Sequence, residues 1–221
     1  MPKDIINCST QQLECAQSAC QQPIWIATQD HLNNAINQWK QCGLLGIDTE
    51  FIRERTYYPQ LALVQVSDGK QVWLIDSVAL GEDLRLLRAV LDDEQVTKVF
   101  HSPREDLEVL QLSIGTLPSP LFDTQAAAAL VGQSLQTSYG ALLESTLGVC
   151  LDKEMARSDW LQRPLSTEQI SYACHDVAYL PMLSRQLSDE LKALQRWDWF
   201  LSDMAQFSSI ALAEVDITLL L

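Results

Sequence analysis

The sequence predicts an α/β protein, and three observations carry the prediction. Short apolar runs of strand length alternate with longer segments whose apolar residues fall at helical spacing. Asp68-Gly69 separates the runs Leu61 to Val66 and Val72 to Asp76, the signature of a hairpin and so of an antiparallel start to the sheet. Helix start and stop residues punctuate the chain at the expected places.

Taken in order, residues 1–22 are polar, rich in Gln and Cys, and read as a loose or helical arm. Pro23 to Ala27 is a short strand. Thr28 caps a helix from about Gln29 to Cys42, whose Leu32, Ala35, Ile36 and Trp39 share one face, and Gly43 ends it. Leu44 to Phe51 is a strand buried on both faces, and Arg53 to Pro59 is a loop. After the hairpin come a helix over Leu84 to Leu91 and a strand over Val96 to Phe100. Ser102 is the expected cap of a helix over Glu105 to Leu112, with Pro103 at its first position. Leu121 to Asp123 is the last strand. Helices follow over Thr124 to Val131 and over Tyr139 to Leu147, the latter closed by Gly148, and Leu151 to Leu165 is irregular. Ser166 with Gln169 forms a capping box at the start of a long helix, which Pro181 kinks or breaks and which continues to about Leu194. Beyond it the chain is amphipathic, and the apolar stretch from Ile210 to Leu221 reads as a surface that something covers. The expected organisation is an arm over 1–22, one domain over 23–195 and a helical tail over 196–221.

Composition bounds the function. The 221 residues are 47% hydrophobic and 20% charged, as in a soluble globular protein with a substantial core. No apolar run approaches the ~18–20 residues of a spanning helix, and no basic-then-apolar leader opens the chain. Cysteines at 8, 15, 20, 42, 150 and 174 form no Cys-x-x-Cys pair, which argues for reduced thiols in the cytoplasm and against zinc. The net charge of −14 is the opposite of what a protein gripping long nucleic acid carries. Arg53, Arg55, Lys98, Arg104, Lys153, Arg157 and Arg163 nevertheless lie close in sequence to the acidic motifs, as a local cationic rim or as ordinary surface.

Those motifs carry the chemistry. Asp48 and Glu50 leave a buried strand two residues apart, so both point the same way. Paired carboxylates there repel each other and are costly to desolvate unless a hard divalent ion takes their oxygens. Asp106, Asp123 and Asp176 also sit at element ends. Tyr172 lies one turn before Asp176 on the same helical face.

As a set these residues resemble the DEDD superfamily of 3′–5′ exonucleases, in the subgroup with a tyrosine in its third motif, and within it the ribonuclease D family. The first motif is Ile47-Asp48-Thr49-Glu50-Phe51, followed by Arg53-x-Arg55-Thr56-Tyr57-Tyr58-Pro59. The second is His101-Ser102-Pro103-Arg104-Glu105-Asp106-Leu107, and the third is Tyr172-Ala173-Cys174-His175-Asp176-Val177. Phe122-Asp123-Thr124-Gln125 and Lys153-x-x-x-Arg157-Ser158-Asp159-Trp160 also look like this family. The likeness runs from about Ile24 to Leu187. Pro103 and Arg104 depart from it, because small residues are usual in that turn. The chain also ends some 45 residues after Asp176, where ribonuclease D continues into accessory helical domains.

The resemblance implies a ribonuclease H-like fold, a mixed five-stranded sheet flanked by helices. It implies hydrolysis of RNA from a free 3′ end to nucleoside 5′-monophosphates, on substrates such as tRNA precursor tails, with no role for a membrane. Single-stranded DNA is the alternative substrate, and a non-catalytic nucleic-acid-binding module is the alternative of another class. The oligomeric state stays open. Two divalent cations, Mg²⁺ or Mn²⁺, are expected on Asp48, Glu50, Asp106 and Asp176, with Tyr172 orienting the attacking water rather than acting as a full base. Asp123 is expected to cap a helix or support the site rather than bind metal, and His175 to have no role. Three residues keep two readings each. Phe51 stacks on a base or packs in the core, His101 touches substrate or binds backbone, and Arg157, with Arg163, binds phosphate or tethers a loop. Trp25, Trp39, Trp73, Trp197 and Trp199 are expected to pack.

Overall fold

The computed structural model describes residues 3–53, 58–151 and 158–207. In chain order its elements are α1 (Lys3–Gln21), β1 (Ile24–Ile26), α2 (Gln29–Trp39), β2 (Leu44–Ile52), β3 (Gln60–Ser67), β4 (Val72–Asp76) and α3 (Ser77–Leu80). A 3-10 segment (Gly81–Leu87) leads into α4 (Arg88–Leu91), β5 (Thr97–Phe100), α5 (Arg104–Ile114), β6 (Leu121–Asp123), α6 (Thr124–Leu130) and α7 (Tyr139–Leu147). The chain continues through α8 (Thr167–Ala178) and α9 (Leu180–Ala193) to a last helix, α10, over 197–207.

The sheet is mixed, in the order β1-β4-β3-β2-β5-β6. Strands β2, β3 and β4 form the expected antiparallel meander, while β1, β5 and β6 join in parallel. The α/β class therefore stands, with six strands where the resemblance implied five. The additional one is Ile24–Ile26, paired along the β4 edge.

Hydrophobic burial explains the layering. Helices α8 and α9 pack across β2, β3 and β4, and α1 lies over α8 through buried Ala16 and Ala19. Trp39 of α2 meets Trp73 of β4 edge-on at 5.6 Å. On α10 the residues Trp197, Phe200 and Met204 face inward, and Phe200 stacks on Phe122 at 4.6 Å. Trp199 is not the packing residue expected of it. It lies on the outer face of α10 and is 61% exposed.

Two local features set up the site. Gly46 passes under the α8–α9 junction so closely that a Cβ there would lie 2.8 Å from Leu180 Cβ and 2.9 Å from the Val177 carbonyl. Only glycine permits that approach, and it brings the strand bearing Asp48 against the last turn of α8. Further along, Glu50 pairs with Leu63 and Phe51 with Leu61, so Ala62 is an unpaired bulge residue on β3.

Several boundaries differ from expectation for physical reasons. The first helix after the arm stops at Trp39 rather than Cys42, with Lys40 as its C-cap. The break at Pro181 is a clean one. Helix α8 ends at Ala178, and Pro181 sits in the first turn of α9, where its missing N–H costs nothing. Ser102 does not cap α5. It takes a left-handed conformation (φ 56°), its N–H donates to Asp123, and Pro103 occupies the cap position without a side-chain bond. The capping box of Ser166 and Gln169 is present as expected.

Candidate active site

Strand β2 outruns its neighbour β5, and that mismatch creates the site. The two strands pair only over Leu44–Gly46 and Thr97–Val99. Beyond that point the β2 edge needs another partner for its backbone donors. Asp106, in the first turn of α5, supplies it. One oxygen, Asp106 Oδ1, accepts from the Thr49 backbone N–H at 3.1 Å and from the Thr49 hydroxyl at 2.5 Å. The alternation of β2 turns Asp48 and Glu50 to the other side, toward α8. There one ligand oxygen each from Asp48, Glu50 and Asp176 lie within 4.8 Å of one another.

Electrostatics shows that this cluster is incomplete by itself. Burial raises the carboxyl of Asp48 well above the usual range, and Asp106, Asp176 and Glu50 raise it further. Glu50 is pushed up to about 9 by burial and by the charges of Asp176 and Asp106. Burial lifts Asp176 to about 7 and Asp106 to about 6, although hydrogen bonds from Tyr172 and Thr49 respectively work against the rise. No lysine or arginine pairs with any of the four among the described residues. A donor set made only of crowded carboxylate oxygens fits a hard divalent cation, whose charge would let all four ionise together.

Tyr172 donates its hydroxyl to the Asp176 carboxylate, and burial together with the acids drives its own ionisation far above the ordinary phenol range. It is therefore a neutral hydrogen-bond donor at any working pH. Its ring lies 6.0 Å from buried Trp160, which fixes its direction.

The structure separates the remaining candidates. Both ring nitrogens of His101 are engaged, Nδ1 with the Thr124 hydroxyl at 2.9 Å and Nε2 with the Thr137 carbonyl at 3.1 Å. Burial holds the imidazole down to about 4, so the neutral ring braces backbone. Asp123 accepts from the N–H groups of Gln125 and Ser102, as a helix cap and a support for the second-motif turn. Phe51 is half-buried against the core. Arg157, with Arg55 and Lys153, lies outside the described residues. Arg163 binds no phosphate, because all five of its N–H donors are used. Two grip Asp76, at 2.9 and 2.7 Å, and the others reach the carbonyls of Ala62, Trp160 and Gln162. Its guanidinium also lies 5.7 Å from the Trp25 ring. The cationic rim loses further members. Arg53 pairs with Glu108, and Lys98 is buried with its ammonium on the Asp93 and Ser119 carbonyls, held down to about 8.

One neighbour of the site escaped sequence reasoning. Tyr139, at the start of α7, feels the charges of Asp176 and Asp48, donates to the His175 carbonyl at 3.2 Å and packs 5.5 Å from His101. Nothing local marks it beyond a position just after the cap Ser138.

Comparison with known proteins agrees with this geometry. A sequence profile of the 3′–5′ exonuclease family matches residues 23–192. The chain belongs to this family. Among exonuclease relatives, ribonuclease D of Gluconacetobacter diazotrophicus is 42% identical over 189 residues, which cover 86% of this chain and 48% of the relative. The crystal structure of Escherichia coli RNase D, an exoribonuclease involved in structured RNA processing, superimposes with a TM-score of 0.81 at 36% identity, covering 86% of this chain and 50% of that one. The chain thus spans about half the length of the curated relatives it matches. Brucella melitensis NrnC, solved with bound Mg²⁺, is 28% identical with a TM-score of 0.71, and there the match covers 81% of this chain and 88% of that one. The same nuclease has been solved bound to pGG. Among the described residues of the present chain, no helix is long and apolar enough to cross a membrane.

Proposed function

We propose that this chain is the catalytic unit of a metal-dependent 3′–5′ exoribonuclease that releases nucleoside 5′-monophosphates from a free RNA 3′ end. The observation that carries the reading is the convergence of Asp48, Glu50 and Asp176, with Tyr172 bonded to Asp176. Two divalent cations, Mg²⁺ or Mn²⁺, held by the four acids would supply Lewis-acid activation of a water and neutralise charge on the departing oxygen. The chain's own residues do the positioning. Asp48, whose carboxylate lies with those of Glu50 and Asp176, would hold a cation together with them. Asp106 is held at a fixed angle by Thr49, both of whose bonds fall on a single carboxylate oxygen. The neutral phenol of Tyr172 orients Asp176 and the attacking water, since a phenol that stays protonated cannot take the proton itself. In this reading a carboxylate of the cluster, Glu50, receives that proton.

Residues 23–195 form the exonuclease unit in this reading, the helix before them is an added arm, and the tail expected over 196–221 is helical over 197–207, with 208–221, the apolar stretch from Ile210 included, lying outside the described residues. Five described cysteines are free thiols, in keeping with a cytoplasmic enzyme. Trimming of tRNA precursor-like tails is the activity that the resemblance to the ribonuclease D family suggests, and the Escherichia coli relative is an exoribonuclease involved in structured RNA processing. Coverage favours a second substrate reading, very short oligonucleotides, because the chain spans 87% of the NrnC structure bound to pGG. Hydrolysis of a 3′-tailed RNA, a dinucleotide and the DNA counterparts, with Mn²⁺, Mg²⁺ or chelator, tests the proposal. Stepwise shortening of RNA that stops with chelator supports it. Faster shortening of DNA moves the protein to the DNA-directed alternative, and no hydrolysis of any strand overturns the catalytic reading.

A further inference from the structure

Strand β3 carries a glutamine that the mechanism leaves unused. Gln65 is fully buried, and neither its side-chain nitrogen nor its side-chain oxygen has a hydrogen-bond partner among the described residues. Buried amides are nearly always bonded, because an unanswered donor or acceptor keeps the full cost of leaving water. In the antiparallel pairing of β2 with β3, Gln65 stands directly opposite Asp48. Residues so paired point to the same face of the sheet with Cβ atoms roughly 5 Å apart, within reach of a glutamine side chain. That face lies beneath the α8–α9 junction, since Gly46, two positions before Asp48, passes under Leu180 and the Val177 carbonyl.

The surroundings of Gln65 name its partner. Along the same face of β3 stand Leu63 and Ser67, and the Ser67 hydroxyl is engaged by the Gln71 carbonyl and the Gly69 N–H. Opposite Gln65 on β4 is Leu74. Helix α8, which packs across β3, buries Ala173, Cys174, Val177 and Ala178. Among these neighbours and Asp48, the carboxylate is the strong acceptor. The other acids show the same pattern of support. Asp106 takes the Thr49 hydroxyl, and Asp176 takes the Tyr172 hydroxyl. Asp48 has no side-chain donor among the described residues. A neutral donor suits a metal ligand better than an ammonium would, because it orients the carboxylate without offsetting the charge that holds the cation.

We propose that Gln65 is a positioning residue for the metal site, whose side-chain N–H donates to the Asp48 carboxylate and fixes the direction from which that carboxylate meets a divalent cation. Rotation about the side-chain torsions of Gln65 makes the bond and answers the buried donor. The inference rests on the metal reading of the four acids. It gives β3 a part in the site and explains a polar residue in the middle of an otherwise apolar strand face.

The test is calorimetric titration of Mn²⁺ into the full chain at pH 7, beside Gln65→Met. Methionine keeps the length of the side chain and loses the amide. The variant should melt no lower than wild type in chelator, because an unanswered polar group has been replaced by an apolar one of similar shape. It should bind Mn²⁺ about tenfold more weakly. Affinity equal to wild type overturns the proposal, and an architectural glutamine would give that result together with a lower melting temperature. If the variant melts lower and binds weakly as well, the wild-type protein decides. One proton of the Gln65 side-chain amide, followed by NMR, should move downfield and exchange more slowly with water as Mg²⁺ is added. An amide that Mg²⁺ leaves unmoved overturns the proposal. Wild-type protein that binds no Mn²⁺ removes the metal reading and the proposal with it. Mn²⁺ binding indifferent to Gln65→Met keeps that reading and removes Gln65 from it.

Discussion

Asp76 and Asp48 lie in strands of the same sheet, and the protein treats them in opposite ways. Asp76 ends β4 with both carboxylate oxygens answered. Its carboxylate caps α3 through the N–H groups of Val78 and Ala79 and takes a two-pronged grip from Arg163. The same arginine closes the Ala62 bulge and ties down the loop bearing Trp160. Asp48 stands among three more acids, and no lysine or arginine among the described residues pairs with them. A buried acid that the fold compensates is architecture. A group of buried acids with no cation beside it among the described residues is a donor set that fits a hard divalent metal.

That contrast can be broken at either end. The largest effect is expected from Asp48→Asn. It should lower hydrolysis by about a thousandfold or more, as loss of a residue acting in a unit does. In chelator it should raise the melting temperature, because one repelling charge is gone. A variant melting lower than wild type without metal would show that the cluster is not frustrated. Arg163→Ala is the mirror image. Leaving Asp76 buried and unpaired should cost about 3–5 kcal/mol in denaturant unfolding. Arg163→Lys should recover little, since a lysine cannot fill five donor positions. Recovery to wild-type stability by lysine would contradict the five-bond account.

Tyr172→Phe comes next. Losing one positioned hydroxyl should reduce kcat by about a hundredfold with KM little changed. Retention of full rate would remove Tyr172 from the mechanism. The pH dependence is smaller but its sign is definite. Glu50, Asp176 and Asp106 titrate near 9, 7 and 6 in the fold, each above its ordinary value. Folded protein thus binds more protons than the unfolded chain over that span. Their contribution to stability is complete below about pH 4 and is lost as pH rises through 6, 7 and 9. Melting in chelator should fall steadily from pH 5 to 9, and Mn²⁺ should flatten the curve. A metal-free protein that gains stability over this range would refute the assignment. Thr49→Val should have the smallest effect. It keeps the backbone bond to Asp106 and removes the hydroxyl, so metal affinity should drop about tenfold, which calorimetry would register.

The same comparison explains what could be read from the sequence. The acids were legible because each sits in a short local pattern, with Asp48 and Glu50 on one strand face and Tyr172 and Asp176 one helical turn apart. The capping box at Ser166 and the Asp68-Gly69 hairpin were legible for the same reason. What the sequence hid is long-range. Arg163 meets Asp76 across 87 positions, and no spacing announces such a pair. Lys98 reads as surface by residue type and is fully buried, because carbonyls at Asp93 and Ser119 converge on its ammonium. Tyr139 joins the site only because its hydroxyl reaches the His175 carbonyl of α8, 36 positions along the chain. Ser102 looked like a cap, but the Asp123 side chain claims its N–H and turns it into a left-handed hinge before α5.

The central claim is that four crowded acids await divalent cations. Titration calorimetry of Mn²⁺ at pH 7, repeated in buffers of different ionisation enthalpy, tests it most directly. The account expects two ions per chain, release of protons on binding from carboxyls that the metal-free fold keeps protonated, and loss of binding in Asp48→Asn. Binding without proton release, and unchanged in Asp48→Asn, would contradict it.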